Sequence, residues 1–397
     1  MKFNSLRDMD VAGKKILLRA DLNVPARRGK VMDTARIDRL KPTIDYLREA
    51  GAQILILSHF GRPEGEQNPE MSLAFLLPTL EERWGCSLSF AQNCIGEKAE
   101  KTASTLNNGD VALLENLRFH KGEKANDPYF ISQLAALGDI YINDAFSAAH
   151  RAHASTEGLA KVMPAAAGLL MEQELNALDR ALEEPQKPVT AIVGGSKIST
   201  KLNVLNNIVQ KCDYLVLGGG MANTFVYAKG GNIGGSLCEN DMKDEALRII
   251  DTAKKHGCEI VLPVDSVVVH ELKVNAPHDV VDANDIHVDK MAIDIGPKSI
   301  ALVEDILSRS KTLLWNGPMG VFELKPFDTG TNALAKKAAE LTRNGNLVSV
   351  AGGGDTVSAL ENAGSTGDFT YISTAGGAFL EWLEGKTLPG VAALSAD

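Results

Sequence analysis

Arg19, Asp21 and Asn23 lie close together in RADLNVP, where the apolar run Ile16–Arg19 ends. Three further apolar runs end in similar company. Ile54–Leu57 leads into Ser58-His59-Phe60-Gly61-Arg62-Pro63, and Val111–Leu114 into Glu115-Asn116-Leu117-Arg118-Phe119-His120. Ile140–Ile142 leads into Asn143-Asp144-Ala145-Phe146, with His150 and Arg151 shortly after. Arg36 stands apart in DTARIDRLKPTI. A guanidinium offers a planar fork of donors that matches carboxylate and phosphate oxygens. One arginine is as easily a surface ion pair of little energetic weight. Successive strand ends that each deliver Arg or His predict a basic pocket for a small, multiply anionic ligand. The whole chain carries a net charge of −10, so this basicity is local, and bulk attraction for nucleic acid or an anionic membrane is excluded.

The second half builds its strand ends from glycine. Thr190–Val193 runs into Gly194-Gly195-Ser196-Lys197-Ile198-Ser199-Thr200-Lys201, and Tyr214–Leu217 into Gly218-Gly219-Gly220-Met221-Ala222. Later loops are Asn316-Gly317-Pro318-Met319-Gly320, Gly352-Gly353-Gly354-Asp355-Thr356 and Thr374-Ala375-Gly376-Gly377. Glycine lets backbone approach a ligand closely, and a following helix aims free N–H groups at phosphate. A lone glycine pair is usually a turn or a cap. A series of them, with Lys197 and Lys201 beside one and Asp355 in another, predicts a polyphosphate site. Asp355 suits Mg²⁺, which prefers carboxylate and phosphate oxygens, and it suits a helix cap equally well. GxxxxGK[ST] and GxGxxG are both absent, which argues against a P-loop NTPase and a dinucleotide dehydrogenase.

The elements that must carry these loops are short Ile/Leu/Val runs alternating with helical patterns. Glu259–Leu262, Thr312–Trp315, Leu347–Val350 and Tyr371–Ser373 complete the second half. Continuous apolar strands between helices predict α/β architecture with parallel sheets covered on both faces. Glu183-Glu184-Pro185-Gln186-Lys187-Pro188 reads as a linker or hinge, which places a domain cut near 185. A length of 397 residues suits two or three domains. The five cysteines lack CxxC spacing and read as scattered thiols of a reducing compartment. The N-terminus has no apolar leader, and no apolar run is long enough to span a bilayer, so the expected location is cytoplasmic.

Taken in order, RADLNVP, SHFGRP, ENLRFHKGE, AHRAHAST, GGSKISTK, GGGMANTF, WNGPMGVFE and AGGGDT closely resemble the phosphoglycerate kinases, from about residue 16 to residue 382. The resemblance implies two Rossmann-like three-layer domains joined by a hinge. Residues 1–185, with a C-terminal return at 386–397, would bind 3-phosphoglycerate, and residues 186–385 would bind MgATP or MgADP. It assigns Asp21, Asn23, Arg36, His59, Arg62, Arg118 and Arg151 to the glycerate substrate. Lys197, Lys201, Glu323, Gly353, Gly354, Asp355 and Thr356 fall to the nucleotide, with Glu323 at the ribose hydroxyls and Asp355 at the metal. It also favours a monomer. Ser147-Ala148 stands where relatives often have Gly-Thr, Thr200 where they often have Asp, and Ala375 where they often have Gly.

The expected reaction converts ATP and 3-phosphoglycerate to ADP and 1,3-bisphosphoglycerate, reversibly. Its nucleophile is a carboxylate, ionised at neutral pH, so no general base is required. Alignment and charge stabilisation are what remain, with Arg36 and Lys201 as the catalytic pair. A kinase of another carboxylic acid and a non-catalytic nucleotide-binding regulator are the competing readings.

Overall fold

The computed structural model describes residues 2–395, and it divides into two compact units. The first runs to Leu175 and resumes at Thr387, and the second is Asn176–Lys386. Met1, Ala396 and Asp397, which the expected boundaries include, lie outside the described residues.

The first unit is built on a six-stranded parallel sheet. Its strands lie in the order Leu88–Ala91, Val111–Leu114, Gln53–Leu57, Lys15–Arg19, Ile140–Asn143 and Ala165–Ala167. Its central strands are buried along almost their whole length, as sheets covered on both faces require. On one face Ile37, Leu40, Ile44 and Leu47 of helix Ala35–Glu49 pack with Ile16, Leu18, Ile54 and Ile56. The two edge strands escaped the sequence reading. Leu88–Ala91 is only partly buried, and Ala165–Ala167 has no β-branched side chain to mark it.

Strand Lys15–Arg19 leaves toward Gln53–Leu57 on one side, and Ile140–Asn143 leaves toward Ala165–Ala167 on the other. The crevice between their carboxyl ends is the topological switch point, where such sheets bind ligands.

The second unit has its own six-stranded parallel sheet, ordered Glu259–Val261, Tyr214–Leu217, Val189–Val193, Thr312–Asn316, Val348–Gly352 and Tyr371–Ser373. In chain order this is 3-2-1-4-5-6, the Rossmann arrangement, with its switch point between Val193 and Asn316. Helices Pro297–Arg309 and Thr329–Arg343 cover one face through Val303, Leu307, Leu334 and Ala338, which pack with Leu313 and Trp315. An antiparallel sheet of Asp265–Val269, His278–Asp282 and Met291–Ile295 is inserted between the strands at 259 and 312. Nothing in the glycine-loop pattern announced it.

The change of unit falls between Leu175 and Asn176, inside helix Leu169–Leu178, rather than near 185. The proline-containing stretch is packed onto the second unit. Gln186 O accepts from Thr312 Oγ1 at 2.8 Å, Pro188 O accepts from Lys311 N at 2.8 Å, and Glu183 pairs with Lys211 at 2.8 Å.

Candidate active site

At the switch point of the first unit, Arg19 is fully buried and bonds in three directions. Its Nε donates to Ser155 Oγ at 2.8 Å, its Nη1 to Ala20 O at 2.5 Å, and its Nη2 meets His59 Nδ1 at 2.9 Å. Because a guanidinium can only donate, Nδ1 of His59 must accept, which leaves the ring proton on Nε2. Burial holds the His59 pKa well below its usual value, and the charges of Arg19, Arg118 and Arg151 lower it further. His59 is therefore a neutral donor. His153 is pushed down to about 4 by burial and then by the same arginines.

Arg118 is buried and donates to Gly61 O at 2.8 Å. Burial, reinforced by the positive charges of Arg151 and Arg19, lowers its pKa to about 10. The charge of Arg62, exposed on the loop after Leu57, acts on Arg118 in the same sense. Arg151 is half-buried, its Nε 3.2 Å from His150 Nε2. Buried Glu123 compensates part of this charge and accepts from Ser155 N and Oγ at 3.0 and 2.6 Å. The rest of the charge makes the pocket an attractive place for a polyanion.

Asp21 and Asn23 organise the pocket. Asp21 Oδ2 accepts from Arg36 Nη1 at 2.5 Å and also from Ser147 Oγ. Asn23 Oδ1 accepts from Gly61 N at 3.0 Å, while its carbonyl accepts from Arg36 Nη1 at 3.2 Å. Arg36 stays about one-third exposed, its guanidinium held by that carboxylate. Ser147, one of the departures from the motif pattern, thus tethers Asp21.

The second unit holds a cavity of about 410 Å³ lined by Gly195, Gly219, Gly220, Asp294, Glu323 and Asp355 among others. The loops around it pack backbone on backbone. A Cβ on Gly194 would lie 1.8 Å from Pro318 O, and one on Gly317, at φ +103°, 2.2 Å from Gly194 O. Helices Gly219–Ala228 and Gly354–Asn362 begin beside it; in the first, Gly219 N and Met221 N are taken by Met319 O and Gly195 O at 2.9 and 3.0 Å, which leaves the Gly220 N–H, while the second starts at Gly354. Lys201 sits at the switch point, where its Nζ donates to Gly194 O at 2.7 Å and to Asn316 Oδ1 at 2.6 Å. Burial lowers its pKa to about 8, with Asp355 pulling the other way.

The other expected residues sort by position. Glu323 and Asp355 are exposed and line the cavity. Lys197 is exposed on its loop, with its carbonyl accepting from Thr200 Oγ1 at 2.9 Å. Gly353, at φ +102°, is the cap of helix Gly354–Asn362, so Asp355 is not the cap. Thr356 is buried, and its hydroxyl accepts from Gly317 N at 2.7 Å, so that side chain joins two loops. Ala375 has φ −92°, outside the left-handed region that favours glycine.

No group of three or more His, Cys, Asp or Glu side chains able to cage a metal occurs among the described residues. Asp355 fits an ion that takes one protein carboxylate and fills its shell with phosphate and water, as Mg²⁺ does.

A family model described as phosphoglycerate kinase matches residues 6–386. The chain belongs to the phosphoglycerate kinase family. The phosphoglycerate kinase of Agrobacterium fabrum is 56% identical over 394 residues, covering 99% of this chain and 98% of that protein. That of Rhodospirillum centenum is 56% identical over 396 residues and covers both in full. Among solved structures, phosphoglycerate kinase from Coxiella burnetii matches with a TM-score of 0.93 at 41% identity, covering 99% of this chain and 98% of that one. The Pyrococcus horikoshii OT3 enzyme matches with a TM-score of 0.78 at 31% identity, covering 98% of each.

For a phosphoglycerate kinase sequence, motif reading still left gaps. Buried Ser155 and Glu123 frame the first pocket beside His153, and Asp294 lines the second. Arg19 and Asn316 each end a strand at a switch point, a signal available in the sequence. Asp294 carried none, because the antiparallel strand that presents it was not foreseen.

Proposed function

We propose that the arginine pocket holds 3-phosphoglycerate, that the glycine-loop cavity holds the nucleotide, and that Arg36 and Lys201 flank the moving phosphoryl group. The activity is that of the family: phosphoryl transfer between ATP and 3-phosphoglycerate, a step of glycolysis. A carboxylate oxygen of the acceptor attacks the γ-phosphorus, the new O–P bond forms, and the bond to the β,γ-bridging oxygen breaks to release ADP. No proton moves, since the carboxylate is already ionised.

This chain's residues supply alignment and charge. Arg118, Arg151, Arg62 and the Nε2–H of His59 bind the acceptor's anionic groups, while Asp21 and Asn23 hold Arg36 in place. Glu323 receives the ribose hydroxyls, and the helix-start amides at Gly220 and Gly354 receive phosphate. Mg²⁺, held by Asp355 together with the phosphates, would neutralise charge on the transferring group. A hinge motion between the two units would bring the ligands into line and exclude water from the acyl phosphate. Identical solution-scattering profiles with and without both ligands would count against that motion. A cytoplasmic monomer fits this reading, and the five cysteines are unbridged, as a reducing compartment leaves them. No helix among the described residues is long and apolar enough to cross a membrane.

The observation that carries the proposal is the pairing of a cationic pocket at one switch point with Lys201 and a glycine-lined cavity at the other. A coupled assay of ADP formation from MgATP tests it, with 3-phosphoglycerate as acceptor and unphosphorylated glycerate as control. Turnover that depends on the phosphorylated acid is expected. Absence of turnover in both directions, with nucleotide still bound, would refute the proposal.

A further inference from the structure

The cysteines are scattered in sequence, yet the fold brings two of them together. Cys212 lies just before strand Tyr214–Leu217, and Cys258 immediately precedes the neighbouring strand Glu259–Val261. These strands pair in parallel with Tyr214 opposite Glu259, so the two thiols meet at the amino ends of the strands. Their sulfurs are 3.6 Å apart. The backbone around them is tied: Cys212 N donates to Ile208 O at 3.0 Å, Cys258 N to Ala253 O at 2.9 Å, and Glu259 N to Asp213 O at 2.9 Å. We propose that Cys212 and Cys258 are a redox modification site, closing reversibly into an intrachain disulfide when a peroxide oxidises the pair.

A disulfide places its sulfurs about 2 Å apart, a distance within reach of side-chain rotation on strands already hydrogen-bonded to each other. Access comes from one side. Cys258 opens onto a cavity of about 200 Å³ that it shares with Lys229, Ile250, Lys254, Ile260 and Leu262, wide enough for a small oxidant. Either thiol can donate across this contact. Cys258, the sulfur that opens onto the cavity, is the one a peroxide reaches first. Its thiolate forms an S–O bond with hydrogen peroxide as the O–O bond breaks, leaving a sulfenic acid and, after protonation, one water. The Cys212 thiol then attacks that sulfur, the S–S bond forms, and the S–O bond breaks to release a second water. Two thiols are oxidised and one peroxide is reduced. The glycine loop at Gly218–Gly220 lies at the far end of strand Tyr214–Leu217, so the pair takes no part in phosphoryl transfer.

The test is to expose the folded full-length protein to hydrogen peroxide, quench, denature, count thiols and map peptides. Five free thiols should fall to three, with a single Cys212–Cys258 cross-linked peptide that dithiothreitol removes. The C258S variant should give no such peptide, while Cys86, Cys94 and Cys238 serve as internal controls. Retention of five thiols would overturn the proposal, as would oxidation of Cys258 to sulfinic acid without the cross-link. The wild-type peptide map decides the matter even if the serine variant folds poorly.

Discussion

Asn316 grips Lys201 twice, its Oδ1 2.6 Å and its carbonyl oxygen 3.1 Å from the lysine Nζ. The same asparagine donates from Nδ2 to Gly352 O at 2.7 Å, so it ties the lysine to two neighbouring strands at the switch point. The ammonium is therefore held in place by the fold itself, and in the proposed role of Lys201 it would supply oriented charge without reorganising at the moment of reaction.

The position of that lysine gives a pH prediction. Burial lowers the Lys201 pKa to about 8, so the ammonium dominates below that pH and is lost above it. kcat/KM for the nucleotide, which reports the free enzyme, should decline as pH rises past about 8. Bound phosphate favours the ammonium, so kcat should hold to higher pH. Lys201→Arg should remove the decline in kcat/KM. Profiles of the variant and the parent that fall together would assign the titration to another group.

The histidines of the first pocket predict acid sensitivity. Burial and the surrounding arginines hold the His153 pKa at about 4 in the fold, against an ordinary 6.5. Between those values the unfolded chain binds a proton that the folded one refuses, so stability falls as pH drops through this window. Replacing His153 with Asn should reduce the loss of Tm between pH 7 and 5 by about 2–4 °C. Equal losses in parent and variant would contradict the assignment.

Two glycines separate packing from binding. Gly317 has φ +103° and no room for a Cβ beside Gly194 O. Gly317→Ala should cost about 2–4 kcal/mol in denaturant unfolding. Gly354 has nothing within 4 Å of an added Cβ, yet it opens a helix facing the cavity. Gly354→Ala should change stability by less than about 0.5 kcal/mol while weakening nucleotide binding in calorimetry. Comparable stability losses in both would remove the distinction.

The architecture was legible wherever burial leaves a continuous apolar run, as at Ile16–Arg19 or Thr312–Trp315. It was illegible where that signal is absent: at the Ala165–Ala167 edge strand and in the antiparallel strands that bring Asp294 to the cavity. The proline pair near 185 suggested a boundary, but prolines also fit a tight entry into a central strand, and here they lead into Val189–Val193. In the sites, charged strand ends were visible one residue at a time. Arg19 was visible as a strand-end arginine, but only the fold shows that it and Glu123 are buried against Ser155.

The claim that a positioned cation drives the chemistry is tested most directly by replacing the Lys201 ammonium with an uncharged side chain of similar length. Steady-state kinetics of Lys201→Met with MgATP and 3-phosphoglycerate should show kcat reduced by about 100-fold or more, the scale of losing one preorganised charge-stabilising donor. ADP affinity, measured separately by calorimetry, should change far less. A kcat equal to that of the parent enzyme would contradict the account and remove Lys201 from the transfer step.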